Sequence, residues 1–229
     1  MKYFAITTNI NFQEVGIYPQ VVRSSYFQDI QQSGFGWEGP IQGSFILPEM
    51  LLQNRARPTT NLSVTSINGA VLLVLKNHFM NFLKDFDMGE WNSWGINVFH
   101  KKQLINDYSL FHLSYPSEQT IIDFKASVFE INDDWLTRAT TGELITFPDY
   151  ETYDKVRNQY RGPEFLLANK LVLDFSNQKH DLIRLLAMPM TGSGYYVSER
   201  LKNAIEEHKF TGFAFKEIEE MSRWIKCVF

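Results

Sequence analysis

Five histidines, one cysteine and a scatter of carboxylates are the side chains in this 229-residue chain that could serve as metal ligands, bases or nucleophiles. His78, His100, His112, His180 and His208 show neither H-x-H nor H-E-x-x-H spacing, so none pairs with another as a zinc ligand set would require. His208 falls on the apolar stripe of a helical pattern and His112 lies among strand-forming residues, which makes packing their expected role. His180-Asp181 invites a catalytic-dyad reading, but neighbours on a strand point to opposite faces, and an ordinary turn is expected instead. Asp85, Asp87 and Glu90 cluster closely, without the longer alternation of oxygen ligands that a calcium loop needs. Cys227 stands alone, which excludes an intrachain disulfide and any cysteine-rich zinc site.

Two glycine motifs look like chemistry and fail on context. Gly34-Phe35-Gly36-Trp37-Glu38-Gly39 matches G-x-G-x-x-G, but no apolar strand precedes it and Pro40 interrupts any helix growing from it. Gly192-Ser193-Gly194 lacks the G-x-S-x-G spacing of a nucleophile elbow. The residues therefore assign no catalytic group, no cofactor and no metal.

The elements that would position any site are partly legible. Phe79, Phe82, Leu83 and Phe86 recur at helical spacing and predict an amphipathic helix over residues 76–86. Leu201, Ala204 and Ile205 do the same over 199–208. There Ser198 is a natural N-cap, Glu199 sits in the positive first turn and Gly212 acts as a stop. Asp149 caps a middle helix bearing Tyr153, Val156 and Tyr160, and Glu49 to Arg55 reads as a short helix with Met50 and Leu51 inward. Strands are expected at 3–6, 71–74, 108–113, 121–124, 170–175, 195–197 and 213–218. Met221, Trp224, Ile225 and Val228 carry helical spacing at the C-terminus. The predicted class is α+β, with mixed, mainly antiparallel sheets and a few amphipathic helices. Residues 1–44 read as an N-terminal strand and loop segment, and 45–229 as the main α+β domain, the two forming one compact unit. The units around the two strong helices share one form: an apolar strand, a helix, then Gly89 or Gly212 before an aromatic segment.

Composition narrows the partners. Hydrophobic residues make up 44% and charged residues 21%, ordinary for a globular protein that can bury a sizeable core. The net charge of −4 and the lack of a basic stripe argue against nucleic acid and mildly favour a basic protein partner. No signal-peptide core follows Lys2, and the aliphatic run from Ala70 to Leu75 is too short to span a membrane, so a cytoplasmic chain with no membrane partner is expected. Aromatic content is high at 15%, with 19 Phe, 10 Tyr and 5 Trp, enough both to fill a core and to furnish interface anchors.

An ordered set of segments resembles a bacterial family. Tyr196-Val197-Ser198-Glu199-Arg200-Leu201-Lys202, a helix, then Thr211-Gly212-Phe213-Ala214-Phe215 is similar to the closing signature of immunity proteins of polymorphic-toxin systems. That family includes a Myxococcus-type immunity domain and was first catalogued as a domain of unknown function. Tyr108 to Leu113, the run from Ile121 to Phe129, and Asp181-Leu182-Ile183-Arg184-Leu185 resemble its central segments, with Ile183 where an aromatic is commoner. The resemblance covers residues 45–218. It departs at Val74-Leu75-Lys76, where the family often repeats a Ser-Glu helix start.

The resemblance implies a cytoplasmic protein that docks on a cognate toxin domain and neutralises it, with no catalysis of its own and no cofactor. It carries over no site residues. The expected toxin interface is a loop bearing Trp91 and Trp94, with Asp85, Asp87 and Glu90 as its acidic rim. An enzyme of another family, such as a hydrolase reversing toxin-induced damage, is the alternative. A module binding sugars on aromatic platforms is the third possibility.

Overall fold

The structure is a computed structural model and describes residues 1–24, 47–65, 72–115, 117–134, 139–159, 165–185, 194–221 and 225–229. The glycine-rich segment 33–40, Trp37, Tyr160, Gly192-Ser193 and Trp224 lie outside the described residues. Thirteen strands and six helices follow one another through the described residues. They are β1 (Tyr3–Thr8), α1 (Phe12–Val15), β2 (Val21–Ser24), β3 (Met50–Leu52), β4 (Leu73–Lys76), α2 (Asn77–Leu83), β5 (Trp91–His100) and β6 (Gln103–Leu113). Then come α3 (Glu118–Ile121), β7 (Val128–Asp134), β8 (Ala139–Ile145), α4 (Tyr150–Arg157), β9 (Phe165–Asp174), β10 (Leu182–Leu185), β11 (Gly194–Ser198), α5 (Glu199–Glu207), β12 (Phe213–Glu217), α6 (Ile218–Met221) and β13 (Ile225–Val228).

Among the described residues three sheets form, with strand orders β10-β11-β1-β12, β13-β9-β7-β8 and β2-β3-β5-β6-β4. Of their strand pairs only β13–β9 and β3–β5 are parallel, so the fold is α+β with mainly antiparallel sheets. The first sheet is central because both its faces are apolar. Tyr3, Ala5, Ile183 and Tyr196 pack with Phe129, Leu171 and Leu173 of the second sheet. Phe4, Leu182, Tyr195 and Val197 face the other way, onto Phe79 and Leu83 of α2, Leu201 and Ile205 of α5, and Phe111 and Leu113 of β6. Alternation along β6 then sends Tyr108 and Leu110 into a third cluster with Val74, Ile96 and Val98. Strand β1 of the N-terminal segment belongs to this core: it pairs with both β11 and β12.

One unit recurs three times. In β4-α2-β5, β8-α4-β9 and β11-α5-β12, the two strands run antiparallel to a third strand lying between them. That strand is β6, β7 and β1 respectively. The helix crosses over the inserted strand and buries its apolar stripe on the sheet. The expected helix starts hold: Ser198 Oγ accepts from Leu201 N (3.2 Å) and Asp149 Oδ1 from Thr152 N (2.8 Å). Lys76 begins α2 with no side-chain cap, matching its missing Ser or Asp, and α2 is shorter than expected.

Four expectations are corrected. Glu49 to Arg55 is not helical; Met50–Leu52 is a strand, with Met50 and Leu52 buried and Leu51 exposed, a period of two. Residues 121–124 are not a strand. Thr120 N and Ile121 N bond back to Ser117 O to make a helical turn, and only Ile122 bridges to Leu173. The C-terminal helical spacing yields instead a short α6 and then β13, captured by β9 through pairing of Ile225 with Leu171. Trp91 and Trp94 are not in a loop; they open β5 and pair with Leu113 and Leu110.

Candidate docking site

The site is built around one buried carboxylate. Asp181 is 1% exposed and joins three segments. Its Oδ1 accepts from Ser198 Oγ (2.6 Å) and Arg200 Nε (3.1 Å), and its Oδ2 from Asp87 N (3.1 Å) and Arg200 Nη2. Burial raises its pKa, but the hydrogen bonds from Arg200, Ser198 and Asp87 N–H outweigh that and hold the carboxyl below its ordinary value. Asp181 N also donates to Asp87 O (2.5 Å), so the α2–β5 connection is clamped to the start of β10. Ser198 serves both α5 and this network, capping the helix while donating to Asp181.

This clamp presents its neighbours outward. His180, whose carbonyl accepts from Tyr3 Oη (2.6 Å), turns its ring away from Asp181 and donates from Nδ1 to Asp87 Oδ1 (2.7 Å). His180 and Asp87 are both about half exposed, at 44% and 56% of their side chains. Beside them opens a groove of about 640 Å³ between the α2–β5 connection and residues 177–180. Its floor includes Met88, Leu113 and Leu182, all buried; Asp87 and Glu90 stand exposed on its wall. Gly89, at φ +69°, turns the chain between these two acids.

The five residues expected at the interface separate. Asp87 and Glu90 line the groove, while Asp85 is exposed on the same connection without lining it. The two tryptophans are three residues apart on a strand and therefore face opposite ways. Trp91 packs against Phe111 (centroids 5.7 Å) over the α2–α5 cluster, and Trp94 lies on the reverse face with Ile96 and Leu110. They cannot anchor one partner together, and each is half-buried. The His180–Asp87 pair was not legible in the sequence, because the partners are 93 positions apart. The local signal was the failed dyad: the Asp181 side chain is buried while that of its neighbour His180 is half exposed.

Other candidate groups are structural. His112 is fully buried and neither ring nitrogen has a hydrogen-bond partner among the described residues. Burial, reinforced by the Arg184 cation, lowers its pKa to about 4, so it stays neutral. Burial pushes the Cys227 thiol up to about 12, away from a nucleophilic thiolate. Among the described residues no three His, Cys, Asp or Glu side chains group as a metal site, and no helix is long and apolar enough to cross a membrane. No protein-family model matches the chain, and the search of curated proteins finds no match.

Proposed function

We propose that the chain is a cytoplasmic immunity protein that docks on a cognate toxin domain and neutralises it by occupancy, without turnover. The observation that carries this reading is the groove itself: an apolar floor walled by Asp87 and Glu90, with Asp85 exposed beside them. An apolar centre with a charged rim is the anatomy of a protein-binding surface, and its sign suits a basic partner. The segments resembling polymorphic-toxin immunity proteins support the same reading, as does the net charge of −4. Tagged protein co-expressed with the toxin encoded beside its gene should co-purify with it and restore growth. Failure of both rescue and complex formation would end the reading.

A second reading, an enzyme that reverses the toxin's damage, is favoured by the Asp87–His180 pair at the groove. A carboxylate holding an imidazole is how general bases are oriented. Against it, both groups are half exposed, whereas strong base catalysis profits from a desolvated setting. Growth rescue without a complex, lost in His180→Gln, would favour this enzyme.

A further inference from the structure

We propose that the groove receives an arginine side chain presented by the protein partner, an inference that rests on the docking reading above. Three features select that chemistry. The first is charge. Asp87 Oδ2 and both Glu90 carboxylate oxygens have no hydrogen-bond or ion-pair partner among the described residues, although both side chains line the groove. Lys179 is the one lysine in the lining and no arginine lines it, so its carboxylates outnumber its Lys and Arg side chains. An anionic side chain would be repelled there, and a cation would complete the free acceptors.

The second feature is the floor. Met88, Leu113 and Leu182 line the same groove as the carboxylates and give it an apolar floor, the match for a three-methylene stem carrying its charge outward. The third is flatness. The His180 imidazole and the Tyr115 ring, 54% exposed, both line the groove and are planar. A guanidinium stacks on such faces and bonds to carboxylates through a planar fork, which an ammonium cannot do.

The test uses ¹⁵N-labelled full-length protein titrated with N-acetyl-arginine methylamide, and in parallel with the neutral, equally shaped N-acetyl-citrulline methylamide. The expected result is saturable shift changes at the amides of residues 87–90 and 178–180 with the arginine probe. The citrulline probe should bind at least fivefold more weakly. The Asp87→Asn/Glu90→Gln double variant, whose own spectrum reports that it is folded, should lose the arginine response. Equal responses to both probes, changes outside the groove, or no saturable change would overturn the inference. The docking reading fails separately. If the toxin complex forms with the double variant as tightly as with the wild type, the arginine site is wrong and docking stands. If the arginine probe titrates the groove but no toxin complex forms, the site stands and toxin docking falls.

Discussion

Asp181 is the residue on which the local architecture turns, because four donors from three residues converge on its two oxygens. Removing the carboxylate leaves Ser198 Oγ and Asp87 N with no acceptor in a buried place. Asp181→Ala should therefore cost about 2–3 kcal/mol, read as a lower urea midpoint. Arg200→Ala should cost less than about 1 kcal/mol, since its side chain is 58% exposed and its partner keeps two other donors. The reverse order would show that the ion pair, rather than the hydrogen bonds, holds the clamp. His112 makes a separate prediction in pH. Its folded pKa is about 4 against an unfolded value of 6.5, so as pH falls the unfolded chain takes up this proton first. Stability from this group is complete above pH 6.5 and is lost as pH falls towards 4, by about 3 kcal/mol. Asp181, with a lowered folded pKa, adds a loss only in the carboxylate range below that. Denaturation at pH 7 and pH 4.5 should show a smaller difference in His112→Leu than in the wild type.

At the scale of elements, strong local signals survived and weak ones yielded to pairing. Helix α5 was legible because Ser198, Glu199 and Gly212 mark both ends with independent physics: a cap, a dipole match and a left-handed stop at φ +86°. Gly212 has a further reason. The segment 60–61 zips onto 211–212, with Asn61 N bonding Thr211 O (3.0 Å), and a Cβ at Gly212 would run into the Asn61 carbonyl. Gly212→Ala should cost about 3 kcal/mol or abolish folding, while Gly89→Ala, strained but not overlapped, should cost only about 1–2 kcal/mol in thermal melts. The misread elements are short apolar runs whose period is ambiguous. Met50-Leu51-Leu52 fits either periodicity until β2 and β5 supply partners, and Ile225 to Val228 is a strand only because β9 is there to pair with it. Of the site, the acidic residues were legible as exposed charge. The groove was not, because its walls come from stretches far apart in sequence, 87–90, the 113–115 end of β6 and 177–180, brought together by the clamp. Trp91 and Trp94 looked like anchors because the strand pairing that half-buries them is invisible locally. Trp91→Ala should accordingly destabilise the fold by about 2–3 kcal/mol through lost packing on Phe111, so lost binding in that variant would not locate the interface.

For the whole molecule, two crossover units pack on opposite faces of a central sheet that contains the third, and the α2–β5 connection exposes Asp85, Asp87 and Glu90 at the surface. Docking by that surface should depend on salt and charge. Asp87→Lys/Glu90→Lys should weaken the toxin complex by roughly tenfold or more with melting temperature little changed, because exposed charges cost little stability but steer and register a complex. An unchanged dissociation constant would move the interface elsewhere. The proposed neutralisation by occupancy is tested by a titration of purified toxin activity with this protein. Occupancy gives a linear loss of activity that ends at one equivalent and does not deepen with time. Restoration of the toxin's damaged substrate by a small fraction of an equivalent, growing with time, would contradict it and identify an enzyme.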